Sequence, residues 1–178
     1  YELVMGSPLR ELVEGLAQAK DVKMVQIGGA SGRIVPYENI DTPLSFETVL
    51  GAGGVMVFNS TRDVIEIVRM NAEFFEEESC GKCTPCRIGT QRSYEILSAI
   101  AEGRGQMSDL DTLTRLIEQM ERLSNCGLGQ TATVPIRDML KHFRTEVEAH
   151  IRLGVCPTGI CPMVPEDEPI AQIENQMV

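Results

Sequence analysis

The chain has no apolar run approaching the roughly 20 residues of a membrane-spanning helix, and it is expected to be soluble. It also lacks a basic cluster: 26 Asp and Glu outweigh 16 Lys and Arg, for a net charge of −10. Phosphate binding draws its affinity mainly from Lys and Arg, so nucleic acid is not an expected partner. Cysteine is sparse, six in 178 residues, and Tyr1-Glu2-Leu3-Val4-Met5 shows no signal-peptide pattern. A small secreted disulfide framework is therefore disfavoured, and reduced thiols in the cytoplasm are expected. No repeat or low-complexity tract interrupts the chain, and no initiator methionine precedes the strand-like Tyr1-Glu2-Leu3-Val4. That opening reads as part of something longer.

The cysteines present are concentrated. Cys80, Cys83 and Cys86 share the run Glu78-Ser79-Cys80-Gly81-Lys82-Cys83-Thr84-Pro85-Cys86-Arg87, and Cys126 returns in Asn125-Cys126-Gly127-Leu128-Gly129. A cubane of four irons needs one thiolate per iron. Two-residue spacers let one loop reach three corners while a distant segment supplies the last. The three-plus-one pattern points to a [4Fe–4S] cluster and an electron carrier. Structural zinc also takes four cysteines but usually pairs two knuckles of two. Zinc, a [2Fe–2S] cluster and reactive thiols stay open as alternatives on spacing alone.

An apolar content of 43 % can fill one ordinary core or two small ones, and the pattern changes near residue 62, which favours two. Before that point, Ser7-Pro8 reads as a helix start, with Leu9, Leu12, Val13 and Leu16 as a buried stripe. Strands are expected at Val22 to Ile27, Arg33 to Pro36 and Val55 to Phe58, forming a small mixed sheet under that helix. Gly28-Gly29-Ala30-Ser31-Gly32 and Gly51-Ala52-Gly53-Gly54 read as tight turns, since neither is Gly-x-Gly-x-x-Gly.

From Asp63 the period is helical. Val64, Ile65, Ile67, Val68, Phe74 and Phe75 mark a first helix ending in the solvated Glu76-Glu77-Glu78. Thr84-Pro85 reads as a cap and first-turn proline, so that Cys86 begins a second helix. A capping box over Ser108 to Asp111, with Asp replacing the usual Glu or Gln, opens a third that stops at Ser124-Asn125. A fourth starts near Pro135 and carries Ile136, Met139, Leu140, Phe143 and Val147. In a four-helix antiparallel bundle, the two cysteine-bearing loops meet at one end.

Cys80 to Gly89, with Cys126-Gly127-Leu128-Gly129-Gln130-Thr131-Ala132 and Pro135, resembles the C-terminal iron–sulfur region of the NADH-binding flavoprotein subunit of respiratory complex I. The same module recurs in NAD-linked hydrogenases and formate dehydrogenases. The resemblance implies an α+β chain: a β-grasp domain over 1–62, a helical [4Fe–4S]-binding domain over 63–150 and a tail over 151–178. It implies an NAD(H)-dependent oxidoreductase complex in which FMN accepts hydride and passes single electrons to the cluster, which relays them to partner iron–sulfur subunits. It also places Gly127 and Leu128 beside the flavin. The family's flavin- and NADH-binding domain precedes these two, and nothing here matches its glycine-rich loop, so this segment lacks the hydride-transfer site. A location soluble or peripheral to a membrane complex follows from the same resemblance.

The tail, with Phe143 to Ile151 followed by Cys156-Pro157-Thr158-Gly159-Ile160-Cys161, is more like the hydrogenase and electron-bifurcating branch. His150, Cys156 and Cys161 supply three ligands suited to zinc, a combination that branch also suggests, and a fourth ligand is missing nearby. Free thiols or a disulfide are the alternative. Lys82 and Arg87 flank thiolate ligands and are candidates for favouring the reduced cluster. His142 is assigned no role. A zinc-stabilised interaction module without redox activity is the competing reading of the whole chain.

Overall fold

The computed structural model describes residues 1–46, 48, 51 and 53–163. Ala52, in the second glycine turn, and the acidic Glu166-Asp167-Glu168 lie outside those residues.

Strands β1 (Val22–Ile27), β2 (Arg33–Pro36) and β3 (Val55–Asn59) form a sheet in the order β2-β1-β3. Both pairings are antiparallel, so among the described residues the sheet is not the mixed one expected. The tight Gly28 to Gly32 turn sets the β1–β2 register. A Cβ on Gly32 would fall 1.9 Å from the Ile27 carbonyl oxygen, which excludes every other residue type there.

The expected N-terminal helix is shorter and wider than its periodicity implied. It spans Glu11–Leu16 with π-type hydrogen bonding, shown by the Ala17 amide donating to the Leu12 carbonyl at 2.9 Å, and no side chain caps it. Widening the turn rotates Leu16 off the buried face. Leu9 and Val13 are fully buried while Leu16 is exposed, which corrects the four-residue stripe.

The helical half holds α1 (Val64–Glu78), α2 (Thr84–Ala101), α3 (Met107–Leu123), α4 (Gly127–Thr131), α5 (Val134–His142) and α6 (Arg144–Leu153). The chain is therefore α+β, with six helices where four were expected. The anticipated last helix breaks at Phe143 (φ −122°, ψ 27°). Its apolar rhythm runs through the break because each piece buries its own stripe, Ile136 and Met139 on α5 and Val147 on α6. The extra helix, α4, is the turn that follows Cys126. Two helix starts are offset from the sequence reading. Cys83, not Thr84, is the N-cap of α2. In α3 the capping box sits two residues earlier than expected: Gln106 is the cap, and its amide donates to Asp109 Oδ2 at 2.8 Å.

The first half has a core of its own around Leu9, Val13, Val25 and Ile40, and one face of its sheet joins the core of the helical half. Met24 and Ile34 of the sheet pack in the same buried cluster as Val64, Val68, Leu97, Leu113 and Ile136. A polar seam fixes the orientation. Buried Asp138 on α5 accepts from Arg33 Nε at 2.6 Å and from the Ile34 amide at 2.9 Å, while Lys23 pairs with Glu146 on α6 at 2.7 Å. Among the described residues no helix is long and apolar enough to cross a membrane.

Candidate functional site

The loop between α1 and α2 carries three cysteines, and the loop from α3 to α4 brings the fourth to meet them. Cys80, Cys83, Cys86 and Cys126 line one cavity of about 120 Å³, closed by Glu78, Ser79, Lys82 and Leu128. Cys86 is buried at the first turn of α2, Cys83 is half-buried, and Cys80 and Cys126 are exposed. The close approach of the two loops depends on Gly129. A Cβ there would meet Ser124 Oγ at 2.5 Å and Cys86 Cβ at 2.9 Å, so only glycine lets α4 settle against α2.

The thiols respond to this crowding. Burial pushes the Cys86 thiol up, and the charges of Cys83, Cys126 and Cys80 push it the same way, while a hydrogen bond from Ser79 opposes them. A backbone hydrogen bond from Asn125 holds Cys83 below its ordinary range. Four thiols that line one small cavity can each supply a thiolate to one iron, and the donor set fits an iron–sulfur cluster. Arg87 is exposed and turned toward the loop backbone, donating to the Gly81 carbonyl at 2.5 Å, so it braces the Cys80–Cys83 turn. Lys82 lines the cavity. Gly127 faces open space, and Leu128 packs beside Phe75 and Met120.

A second cluster lies at the other end of α1. His150, Cys156 and Cys161 are buried together, and the structure adds Asp63, with all four ligand atoms within 4.8 Å of one another. Asp63 divides its carboxylate. Oδ1 caps α1, accepting from the Ile65 amide at 2.8 Å, and Oδ2 stands 3.4 Å from His150 Nε2 and 3.4 Å from Cys156 Sγ. His150 Nδ1 lies 2.9 Å from the Glu146 carbonyl, which can only accept, so Nδ1 carries a proton, and in the neutral ring the lone pair is on Nε2. That Nε2 is buried with no hydrogen-bond partner. Zinc bonds of about 2.0–2.3 Å imply tetrahedral edges of roughly 3.3–3.8 Å, and the separations of Asp63 from His150 and Cys156 fall in that range.

Burial opposes ionisation of Cys156, but hydrogen bonds from Thr158 and the Cys161 amide outweigh it and bring the thiol to about 7. Burial and the neighbouring Asp63 charge push Cys161 far up. Asp63 itself is held below the usual carboxylate range: burial works against this, while His150 and the Cys156 hydrogen bond prevail. One thiol poised to ionise and one that resists ionisation are what two crowded cysteines beside a carboxylate show without a cation. The sequence reading missed Asp63 because it stands 93 positions from Cys156 and already had an adequate role as a helix start. Its cap position was the only local signal.

Residues 66–150 match the family model described as the NADH-ubiquinone oxidoreductase-F iron-sulfur binding region. Among similar proteins is the NADP-reducing hydrogenase subunit HndC of Solidesulfovibrio fructosivorans, 37% identical over 90% of this chain and 35% of the relative. Another is an NADH-quinone oxidoreductase subunit of Rhizobium meliloti, 38% identical over 88% of this chain and 40% of the relative. Among solved structures, an air-oxidized NAD+-reducing [NiFe]-hydrogenase superposes with a TM-score of 0.81 at 40% identity, covering 85% of this chain and 27% of that one. The chain thus spans 35–40% of the length of these two relatives.

Proposed function

We propose that this chain is the electron-transfer portion of an NADH-oxidising or NAD-reducing flavoprotein subunit in a multisubunit hydrogenase, formate dehydrogenase or complex-I-like oxidoreductase. Cys80, Cys83, Cys86 and Cys126 hold a [4Fe–4S] cluster, with one thiolate to each iron. When bound, the cluster supplies a one-electron store between FMN and the iron–sulfur centres of partner subunits. The single observation that carries this reading is the convergence of all four cysteines on one cavity. Cys86 anchors the buried side, and exposed Cys80 and Cys126 form the rim through which electrons exchange. The first turn of α2 directs its free amides toward the same place, a field that favours added negative charge.

FMN and NAD(H) are assigned to the remainder of the subunit, with Gly127 and Leu128 on the side facing the flavin. The organisation proposed is a β-grasp domain over 1–62, the cluster domain over 63–150 and the tail beyond. Zinc is proposed at His150, Cys156 and Cys161, with Asp63 as the fourth ligand. The 3.4 Å separations of Asp63 from His150 and Cys156 and the unpartnered Nε2 favour it.

The test uses the 178-residue chain with its cluster reconstituted. Broad visible absorption that bleaches with dithionite, but not with NADH even when FMN is added, is the expected result. A colourless protein containing only zinc would replace this reading with a structural interaction module. Rapid bleaching by NADH would overturn the division of labour.

A further inference from the structure

Ser79 occupies the single residue between the end of α1 and Cys80, and its hydroxyl belongs to the cluster cavity. Ser79 Oγ stands 3.5 Å from Cys86 Sγ. The Gly81 amide donates to the same Oγ at 3.4 Å, which occupies a lone pair from the loop side and leaves the hydroxyl proton for the sulfur. A cysteine bound to iron is a thiolate and can only accept. The direction of the bond is therefore fixed by chemistry as O–H to S.

From this geometry we infer that Ser79 tunes the cluster's reduction potential upward by donating a hydrogen bond to Cys86. The inference rests on the cluster reading above. Three observations favour Ser79 as the tuning residue. Cys86 is the buried cysteine of the four, so its hydrogen bond works in a low-dielectric surrounding without competition from water, unlike any at exposed Cys80 and Cys126. The Ser79 backbone is held in place, its own amide donating to Glu76 at the end of α1. Of the two nearby cations, Arg87 is engaged with the Gly81 carbonyl and Lys82 is exposed. A bond that strengthens as the sulfur gains negative charge stabilises the reduced form more than the oxidised one.

The experiment is an EPR-monitored redox titration of the full chain with its cluster loaded, comparing Ser79→Ala with the unaltered protein. The expected shift is about tenfold in the reduction equilibrium toward the oxidised form, which is ~59 mV lower for a one-electron couple. Iron and sulfide content, measured on the same samples, separates loss of the cluster from change in its potential. Should Ser79→Ala fail to load, Ser79→Thr and Ser79→Val decide the question, because they share a shape and differ in the hydroxyl. A lower potential for valine supports the proposal, and equal potentials for the two overturn it. A fully loaded Ser79→Ala with unchanged potential also overturns it. If the unaltered chain binds no cluster, the relay reading fails first.

Discussion

The two ends of α1 hold sulfur in opposite ways. At its C-terminal end four cysteines ring a cavity whose rim is open, with Cys80 and Cys126 exposed. At its N-terminal end Asp63, His150, Cys156 and Cys161 are all buried, Asp63 and His150 at 1% and 0% exposure. An electron carrier must let charge pass, so its cofactor needs a face near the surface. A structural ion gains most from a closed shell, where no open position remains for water. The same helix borders both clusters, and under the function proposed above burial is what would separate a conducting role at one end from a stapling role at the other.

The most forceful way to break this comparison is to remove one corner of the open site. Cys126→Ala is expected to abolish the stable four-iron cluster although three ligands remain in one loop, because one iron loses its thiolate. The closed site should keep its metal. Iron, sulfide and zinc analysis with the reduced-state EPR signal reads both at once, and full iron with an unchanged signal would remove Cys126 from the ligand set.

The reciprocal change is smaller for electron transfer and larger for the tail. Cys156→Ala should lose close to one zinc per chain while leaving the cluster signal intact. Loss of the ion frees the segment from Cys156 to Met163, which otherwise packs on the core next to α1. Limited proteolysis should then cut after α6. Zinc that survives the substitution would show that the ligand is wrongly chosen, and protein purified without chelators that holds no zinc would defeat the site.

Much of this was legible in the chain because the signals are local. The Cys80 to Cys86 spacing, the first-turn Pro85 and the long helical stripes each act within a few residues, and α1, α2 and α3 fall within one or two residues of where those signals put them. What stayed hidden was set by distant partners. Leu16 left the core when the π-type turn widened, a change that no periodicity announces. The break at Phe143 preserves apolar spacing on both sides. Asp63 reads in sequence as a helix start and is one, and its second oxygen acquires a role only when α6 and the tail fold back against it.

That double role gives the finest test, because cap and ligand can be separated chemically. Asparagine caps helices about as well as aspartate, so Asp63→Asn should keep the cap of the metal-free protein and lose only what the carboxylate's charge contributes at neutral pH. Asp63→Ala should cost about 1 kcal/mol more through the lost cap. With zinc at a hundredfold excess over Kd, the unaltered protein gains about 2.7 kcal/mol. A variant bound a hundredfold more weakly gains only about 0.4 kcal/mol. Chemical denaturation with and without zinc measures that gap. The pH dependence has a definite sign. The Asp63 carboxylate is held below its ordinary value, so the stability it contributes is fully present above about pH 4 and is lost as pH falls through the lower folded value. The metal-free difference between the unaltered protein and the Asp63→Asn variant should therefore close on acidification. A gap that widened as pH fell toward about 4 would mean instead that the carboxylate is disfavoured in the metal-free fold.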